Sequence, residues 1–351
     1  MNVLHIVDKY GFGGVESIVD SLIKNFNIPN IQLTYYFIRK PVDKPVIQKN
    51  NVIVKNYSKF NLFPLIDIFF IIKNKKIDII HTHHRKGFYF GIILSLIFRD
   101  LKFIHHEHGD ILINNRLYNN LFKICKKRIN GVICVSDYIR DFLLKNISIK
   151  KDKLYVLNNF VRCSASSDII NIDFYPKDNY TIGFIGRLSE VKGCKFLIES
   201  LSFLPTNYKA IIAGDGPELL NLKTLSRDLD LDSRIKFLGF VSDVEHVYNE
   251  IDLLVISSLS EANPIVLNES WMFGVPVIVS DIESLASLVQ DKRNVLTFQS
   301  KNSADLANKI KYLLSDGELY LKLIHNGKDN VKGKDLNNYI TSLAKIYEKI
   351  N

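Results

Sequence analysis

Short apolar runs rich in β-branched residues recur along the chain, separated by longer stretches whose apolar residues return at helical spacing. Val3–Val7, Leu33–Phe37, Ile77–His81, Lys102–His106 and Gly131–Val135 form one series, and Tyr180–Ile185, Tyr208–Ala213, Arg234–Leu238, Leu253–Ser257 and Pro276–Val279 form a second. Strand runs interleaved with helical stretches read as βαβ units, and hence as parallel sheets covered by helices. Between the series, Val161–Asp178 has no periodicity and carries Cys163-Ser164-Ala165-Ser166-Ser167 and Tyr175-Pro176, the composition of a linker. The pattern predicts an α/β chain of two doubly wound parallel-sheet domains facing a cleft, residues 1–160 and 179–334 joined by linker 161–178. Leu336–Tyr347 has apolar residues at helical spacing, so residues 335–351 are expected to close the chain as a helix. In open parallel sheets ligands bind beyond the C-terminal strand ends, which directs attention to the loops after each run.

The length of 351 residues agrees with two cores rather than one. Hydrophobic residues at 47% and charged residues at 24% give a globular balance and exclude a disordered chain. The N-terminus, MNVLHIVDKYGFGG, lacks a basic leader and reads as a strand entering a glycine loop, so a cytoplasmic protein is expected. The most apolar stretches, Phe60–Ile72 and Gly87–Phe98, are shorter than the roughly 20 residues that span a bilayer and read as buried or interfacial helices. Cys125, Cys134, Cys163 and Cys194 form no C-x-x-C pair, so neither a disulfide framework nor a zinc knuckle is expected.

Charge is divided unevenly. Residues 1–160 hold 25 Lys+Arg against 12 Asp+Glu, or +13, and the remainder holds 21 against 25, or −4. Anionic partners are thus expected at the first half. Basic residues there mingle with aliphatic ones, as in Asn114–Arg128, which resembles an amphipathic helix against anionic lipid at least as much as a solvated basic face. A peripheral membrane contact is expected, and nucleic acid is not.

The first strand ends in Gly11-Phe12-Gly13-Gly14-Val15-Glu16, where Gly13 and Gly14 could bring backbone amides and a helix N-terminus to a phosphate. A tight strand-to-helix turn explains the same residues. Glu16 stands where a dinucleotide fingerprint requires glycine, and neither Gly183-Phe184-Ile185-Gly186 nor Gly214-Asp215-Gly216 completes one, which counts against a nicotinamide oxidoreductase. Gly183–Gly193 is more informative: a strand is followed by a loop carrying Arg187 and Lys192. A guanidinium that forks onto phosphate oxygens and a lysine point charge together suit a pyrophosphate, although a solvated basic pair has the same spelling.

Glu261 and Glu269 stand eight positions apart just after the run Leu253–Ser257, in a segment that closes on Gly274-Val275-Pro276-Val277. This resembles the E-x7-E signature of retaining GT-B glycosyltransferases, notably glycosyltransferase family 4. Gly186-Arg187-Leu188 with Lys192-Gly193, and Ala213-Gly214-Asp215-Gly216-Pro217-Glu218, stand in the order of that family. The resemblance implies a GT-B fold of two Rossmann-like domains, with a nucleotide-sugar donor bound by the second; a UDP-linked donor is expected, with guanine and adenine open as the base. It implies further that Arg187 and Lys192 hold the diphosphate, that Glu261 contacts sugar hydroxyls, and that Glu269 binds the ribose. Backbone at Asn263, Pro264 and Ile265 would meet the sugar, and Phe240 and Val241 would line the base. The usual Gly-Phe after the first glutamate is Ala262-Asn263 here, so the donor sugar stays open.

Histidines crowd two strand ends, in His81-Thr82-His83-His84 and His105-His106-Glu107-His108. A zinc or iron site and polar residues at wet strand ends are both readings of such clusters. The family pattern implies that His108 lies near the anomeric centre, hydrogen-bonding the donor sugar or orienting reacting groups. No protein nucleophile stands out, and the departing phosphate oxygen is expected to take the acceptor's proton. Asp228, Asp230 and Asp232 have the D-x-D spacing of metal-dependent transferases, but they precede the run Arg234–Leu238 and read as a solvated turn. Resemblance thus implies a metal-independent transferase that needs no cofactor and adds sugar to a glycan or lipid-linked acceptor in cell-surface polysaccharide synthesis, with the last helix crossing back to the first domain. An epimerase of the same fold and a non-catalytic sugar-nucleotide-binding subunit are the alternatives.

Overall fold

The strand runs condense into two all-parallel sheets. β1 (Asn2–Lys9), β2 (Gln32–Arg39), β3 (Val52–Val54), β4 (Ile79–His83), β5 (Lys102–Glu107), β6 (Gly131–Cys134) and β7 (Leu154–Val156) lie in the order β3-β2-β1-β4-β5-β6-β7. β8 (Tyr180–Ile185), β9 (Tyr208–Ala213), β10 (Ile235–Gly239), β11 (Leu253–Ile256), β12 (Val277–Ser280) and β13 (Leu296–Phe298) lie in the order β10-β9-β8-β11-β12-β13. This computed structural model describes residues 1–11, 13–40, 44–109, 115–161, 174 and 176–351. The chain divides into two units, Met1–Asn159 with Leu336–Asn351, and Phe160–Asp335. Most of the 161–178 stretch read as a linker lies outside the described residues, as do Phe12, Asn114 and Cys163.

Each sheet grows outward in both directions from its first strand, so the topology reverses between β1 and β4 and between β8 and β11. Such switch points are where open parallel sheets bind ligands. Three strands had no counterpart in the apolar pattern: β3, β7 and β13 are three-residue edge strands, too short to show a period.

Both faces of the second sheet are apolar, which is why its strands read as continuous runs. Ile182, Phe184, Ala210, Ile212, Leu253 and Val255 face one core. Their neighbours Ile211, Ala213, Leu254, Ile256, Val277 and Val279 face the other. The helix Leu336–Ile350 packs within the first unit, burying Tyr339, Leu343 and Tyr347. A Cβ added at Gly131 would lie 2.5 Å from the tip of the Ile350 side chain, so the last helix packs closely over this strand residue.

Cys125, Cys134 and Cys194 are free thiols. No helix among the described residues is long and apolar enough to cross a membrane. The helix Pro64–Asn74 buries Ile68 and Ile72 but leaves Phe70 outside, and the residues before it, Phe60, Leu62 and Phe63, are exposed as well. Leu96 and Ile97, at the end of the helix His84–Ile97, are also exposed. Contact of Phe69 with Phe98, ring centroids 5.0 Å apart, sets these two apolar surfaces side by side. Leu117 and Ile124 are exposed on the helix Arg116–Cys125, which buries Tyr118 and Phe122.

Candidate active site

In the second unit the loops leaving β8 and β11 are tied together residue by residue. These strands are neighbours, with Ile182 opposite Leu253. The Leu259 amide donates to the Val191 carbonyl at 2.8 Å, and the Ser257 hydroxyl donates to the Gly193 carbonyl at 2.9 Å. Gly193 has φ +63°, and a Cβ there would fall 2.1 Å from the Ser257 carbonyl oxygen, so only glycine permits the approach. The result is an ion pair between residues 69 positions apart: Lys192 Nζ lies 2.5 Å from Glu261 Oε1. That same oxygen accepts from the Ser258 hydroxyl at 2.9 Å. Arg187, on the loop after β8, is exposed; its carbonyl accepts from the Ser189 amide at 3.0 Å, while its guanidinium has no hydrogen-bond or ion-pair partner among the described residues.

Neighbouring loops pack backbone against backbone in the same way. The Gly214 amide donates to the Gly239 carbonyl at 2.7 Å, and a Cβ on Gly214 would overlap the Gly186 carbonyl oxygen at 1.8 Å. Just after Gly239, Phe240 is exposed and Val241 half-buried. Asn263 and Pro264 are buried ahead of the helix Ile265–Met272, with Pro264 at its N-cap and Ile265 opening it. Glu269, on the second turn, is fully buried, and its carboxylate accepts from the Tyr248 hydroxyl at 3.1 Å. The structure therefore brings Lys192 into contact with Glu261 and buries Glu269 against Tyr248. Asp228, Asp230 and Asp232 precede β10, at the N-terminal end of that strand, and Asp232 accepts from Ser226 at 2.8 Å.

In the first unit, sheet register gathers the histidines. His5 stands opposite His81 across β1 and β4, and His83 opposite His106 across β4 and β5. Side chains alternate between faces along a strand, so His5, His81, His83, His106 and His108 share one face while Thr82, His105 and Glu107 share the other. On the second face the Tyr118 hydroxyl lies 2.9 Å from His105 Nε2 and 3.1 Å from Glu107 Oε2. On the first, Tyr347 Oη lies 2.6 Å from His81 Nδ1 and 2.9 Å from His5 Nε2. His5 Nδ1 then meets His83 Nε2 at 3.0 Å, and His83 Nδ1 meets His108 Nε2 at 2.8 Å. His106 stacks on His108 with ring centroids 3.9 Å apart.

Burial pushes the His5 imidazole down to about 3. Burial first, and adjacent imidazoles second, hold His81, His83, His106 and His108 well below the usual histidine range, so these rings are neutral near pH 7. Burial raises the Tyr347 hydroxyl, which stays protonated. Nitrogens of His5, His81 and His83, and of His83, His106 and His108, lie within 4.8 Å of one another. Tetrahedral ligation would converge such nitrogens on one point at a mutual spacing of about 3.3 Å. Here His83 is instead hydrogen-bonded through both nitrogens, and His106 lies face to face with His108.

His5 and Tyr347 stand in no motif that marks them as site residues. They come from opposite ends of the chain, and only the register of β1 with β4 and the packing of the last helix unite them. Gly13 is the N-cap of the helix Gly14–Asn25, and the Glu16 carboxylate folds back over it, so that a Cβ on Gly13 would lie 2.4 Å from Glu16 Oε2. An acid thus already stands at the helix N-terminus where Gly13 and Gly14 would receive a phosphate.

With this geometry in view, likeness to known proteins becomes informative. Residues 12–165 match the model described as Glycosyltransferase Family 4, and residues 167–330 that described as Glycosyl transferases group 1. An uncharacterized glycosyltransferase of Methanocaldococcus jannaschii is 29% identical over 353 residues, covering 97% of this chain and 95% of its own. The UDP-Gal:alpha-D-GlcNAc-diphosphoundecaprenol alpha-1,3-galactosyltransferase of Escherichia coli is 22% identical, covering 87% and 81%. Anabaena HepE in complex with UDP and glucose shares the fold at a TM-score of 0.83 and 21% identity, covering 99% of both chains. Two switch-point sheets, the joined β8 and β11 loops and these matches lead to one conclusion: the chain belongs to the GT-B glycosyltransferases, its first half of the family 4 type and its second of the group 1 type.

Proposed function

We propose that this glycosyltransferase moves a sugar from a UDP-sugar to a glycan or lipid-linked acceptor in cell-surface polysaccharide synthesis, with retention at the anomeric carbon and without a metal ion. The observation that carries the reading is the Lys192–Glu261 pair, with exposed Arg187 on the same loop as Lys192. A cation and an acid in contact at a strand switch point match a donor that is anionic at its diphosphate and hydroxylated at its sugar. In this role Arg187 and Lys192 stabilise the charge that grows on the leaving diphosphate. Glu261 holds sugar hydroxyls, and Glu269 takes the ribose by exchanging the Tyr248 hydroxyl for it. Asn263, Pro264 and Ile265 meet the sugar, Phe240 and Val241 flank the base, and His108 hydrogen-bonds the donor sugar. The leaving phosphate oxygen accepts the acceptor's proton, so no separate base is required.

The donor class draws support from the E. coli relative, whose name contains UDP-Gal and a diphosphoundecaprenol acceptor, and from the HepE complex with UDP and glucose. Exposed Phe60, Phe63 and Phe70, with Lys59 over the Phe60 ring and Lys73 over that of neighbouring Phe69, support contact with an anionic membrane at the cytoplasmic face. Thermal unfolding with UDP-, GDP- and ADP-sugars tests the donor, because a ligand that binds only the native state raises Tm. A UDP-sugar is expected to stabilise the protein and to be turned over, with activity lost in Lys192→Ala and Glu261→Gln. Stabilisation by no nucleotide sugar, or activity lost in EDTA and restored by manganese, would overturn the corresponding part of the proposal.

A further inference from the structure

The histidine face of the first sheet is wired in one direction. Neutral imidazole carries one N–H and one lone pair, so in a chain of neutral rings each hydrogen bond dictates the next. The chain runs from Tyr347 Oη to His5 Nε2 at 2.9 Å, from His5 Nδ1 to His83 Nε2 at 3.0 Å, and from His83 Nδ1 to His108 Nε2 at 2.8 Å. It can be oriented two ways, and His81 selects between them. His81 Nδ1 is bonded to the same tyrosine oxygen at 2.6 Å, while its Nε2 is buried with no partner. If Tyr347 donated to His81, a buried N–H would be orphaned at Nε2. If His81 donates to Tyr347, only a lone pair is left unmatched, and an orphaned buried N–H is the rarer and costlier of the two. His106, bonded through neither nitrogen, has no such choice and does not enter the chain.

We infer that Tyr347 of the C-terminal helix is a positioning residue that sets the tautomer of His108: its hydroxyl donates to His5, which donates to His83, which donates to His108, each proton staying on its own atom, so that His108 presents Nδ1–H as a donor. His108 is half-buried where the other rings of the chain are buried, so the wire ends at the surface. Such a donor suits a sugar or phosphate oxygen and cannot serve as a base at that nitrogen. The assignment to catalysis rests on the role proposed for His108; the tautomer pattern itself does not.

Nitrogen NMR of protein labelled at histidine distinguishes the two nitrogens of a neutral ring directly. Wild-type protein is expected to show Nδ1–H on His5, His81, His83 and His108. An Nε2–H on His108 overturns the inference, as does one-to-one uptake of Co2+ with a tetrahedral absorption band, because ligation would break the His83–His108 bond. Tyr347→Phe, checked for folding by circular dichroism, should give mixed tautomers at His108. Its kcat should fall about ten- to a hundredfold, the usual effect of losing a group that orients a working histidine, with the donor KM unchanged. Unchanged tautomers in that variant overturn the relay. The expected tautomers in a protein that turns over no sugar nucleotide would instead overturn the proposed function and leave the relay standing.

Discussion

Acidification from pH 7.5 to 5.5 should destabilise this protein through the histidine face. Burial holds the folded His5 at about 3, far below the ordinary histidine value of 6.5. Between those values the unfolded chain binds the proton and the folded chain does not, so stability is complete above pH 6.5 and falls as pH is lowered toward 3. A histidine that stays neutral when folded loses on the order of 1 kcal/mol of stabilisation between pH 7.5 and 5.5. His81, His83, His106 and His108 are shifted in the same direction by the same burial. The loss on acidification is therefore larger than His5 alone would give, because each of these rings also has to be kept neutral while the unfolded chain binds a proton. The assay is urea unfolding followed by far-UV circular dichroism at pH 7.5, 6.5 and 5.5 and fixed ionic strength. The midpoint should fall at each step, and His81→Gln should lessen the fall. A midpoint that holds or rises on acidification would refute burial of these neutral rings.

Two further outcomes follow from the packing. Gly193→Ala places a methyl group 2.1 Å from the Ser257 carbonyl oxygen on left-handed backbone, and should cost at least about 1–2 kcal/mol in urea unfolding while weakening nucleotide binding, since the loops bearing Lys192 and Glu261 must part; unaltered affinity would show that their contact is dispensable. Combined Phe60→Ser, Phe63→Ser and Phe70→Ser should weaken co-sedimentation with anionic vesicles by about 1 kcal/mol per residue, roughly fivefold each, with activity on a water-soluble acceptor intact; equal binding by variant and wild type would exclude this surface as the membrane contact.

Much of the architecture was legible because parallel strands covered on both faces are apolar throughout. Runs such as Leu253–Ser257 announce themselves in any order of assembly, and helices must fill the intervals. The cations at Arg187 and Lys192 and the acids at Glu261 and Glu269 were legible as a spaced motif, because Arg187, Lys192 and Glu261 follow recognisable strands and Glu269 lies on the helix that comes next. The burial of Glu269 against Tyr248 was not, since spacing along a helix does not tell which neighbour covers a turn. Edge strands β3, β7 and β13 escaped because three residues show no period.

What the sequence by itself determined, then, is the alternation of strands and helices, the two-sheet class and the chemical character of the loops. Tertiary structure alone decided which distant residues touch. Lys192 meets Glu261 because β8 and β11 are neighbours and Gly193 lets their loops close. Tyr347 meets His5 because the last helix seats on the first sheet, and His5 meets His83 because β1 pairs with β4. Local propensity acts over a few residues, whereas register and helix docking depend on burying whole faces at once, and no short stretch of chain contains that information.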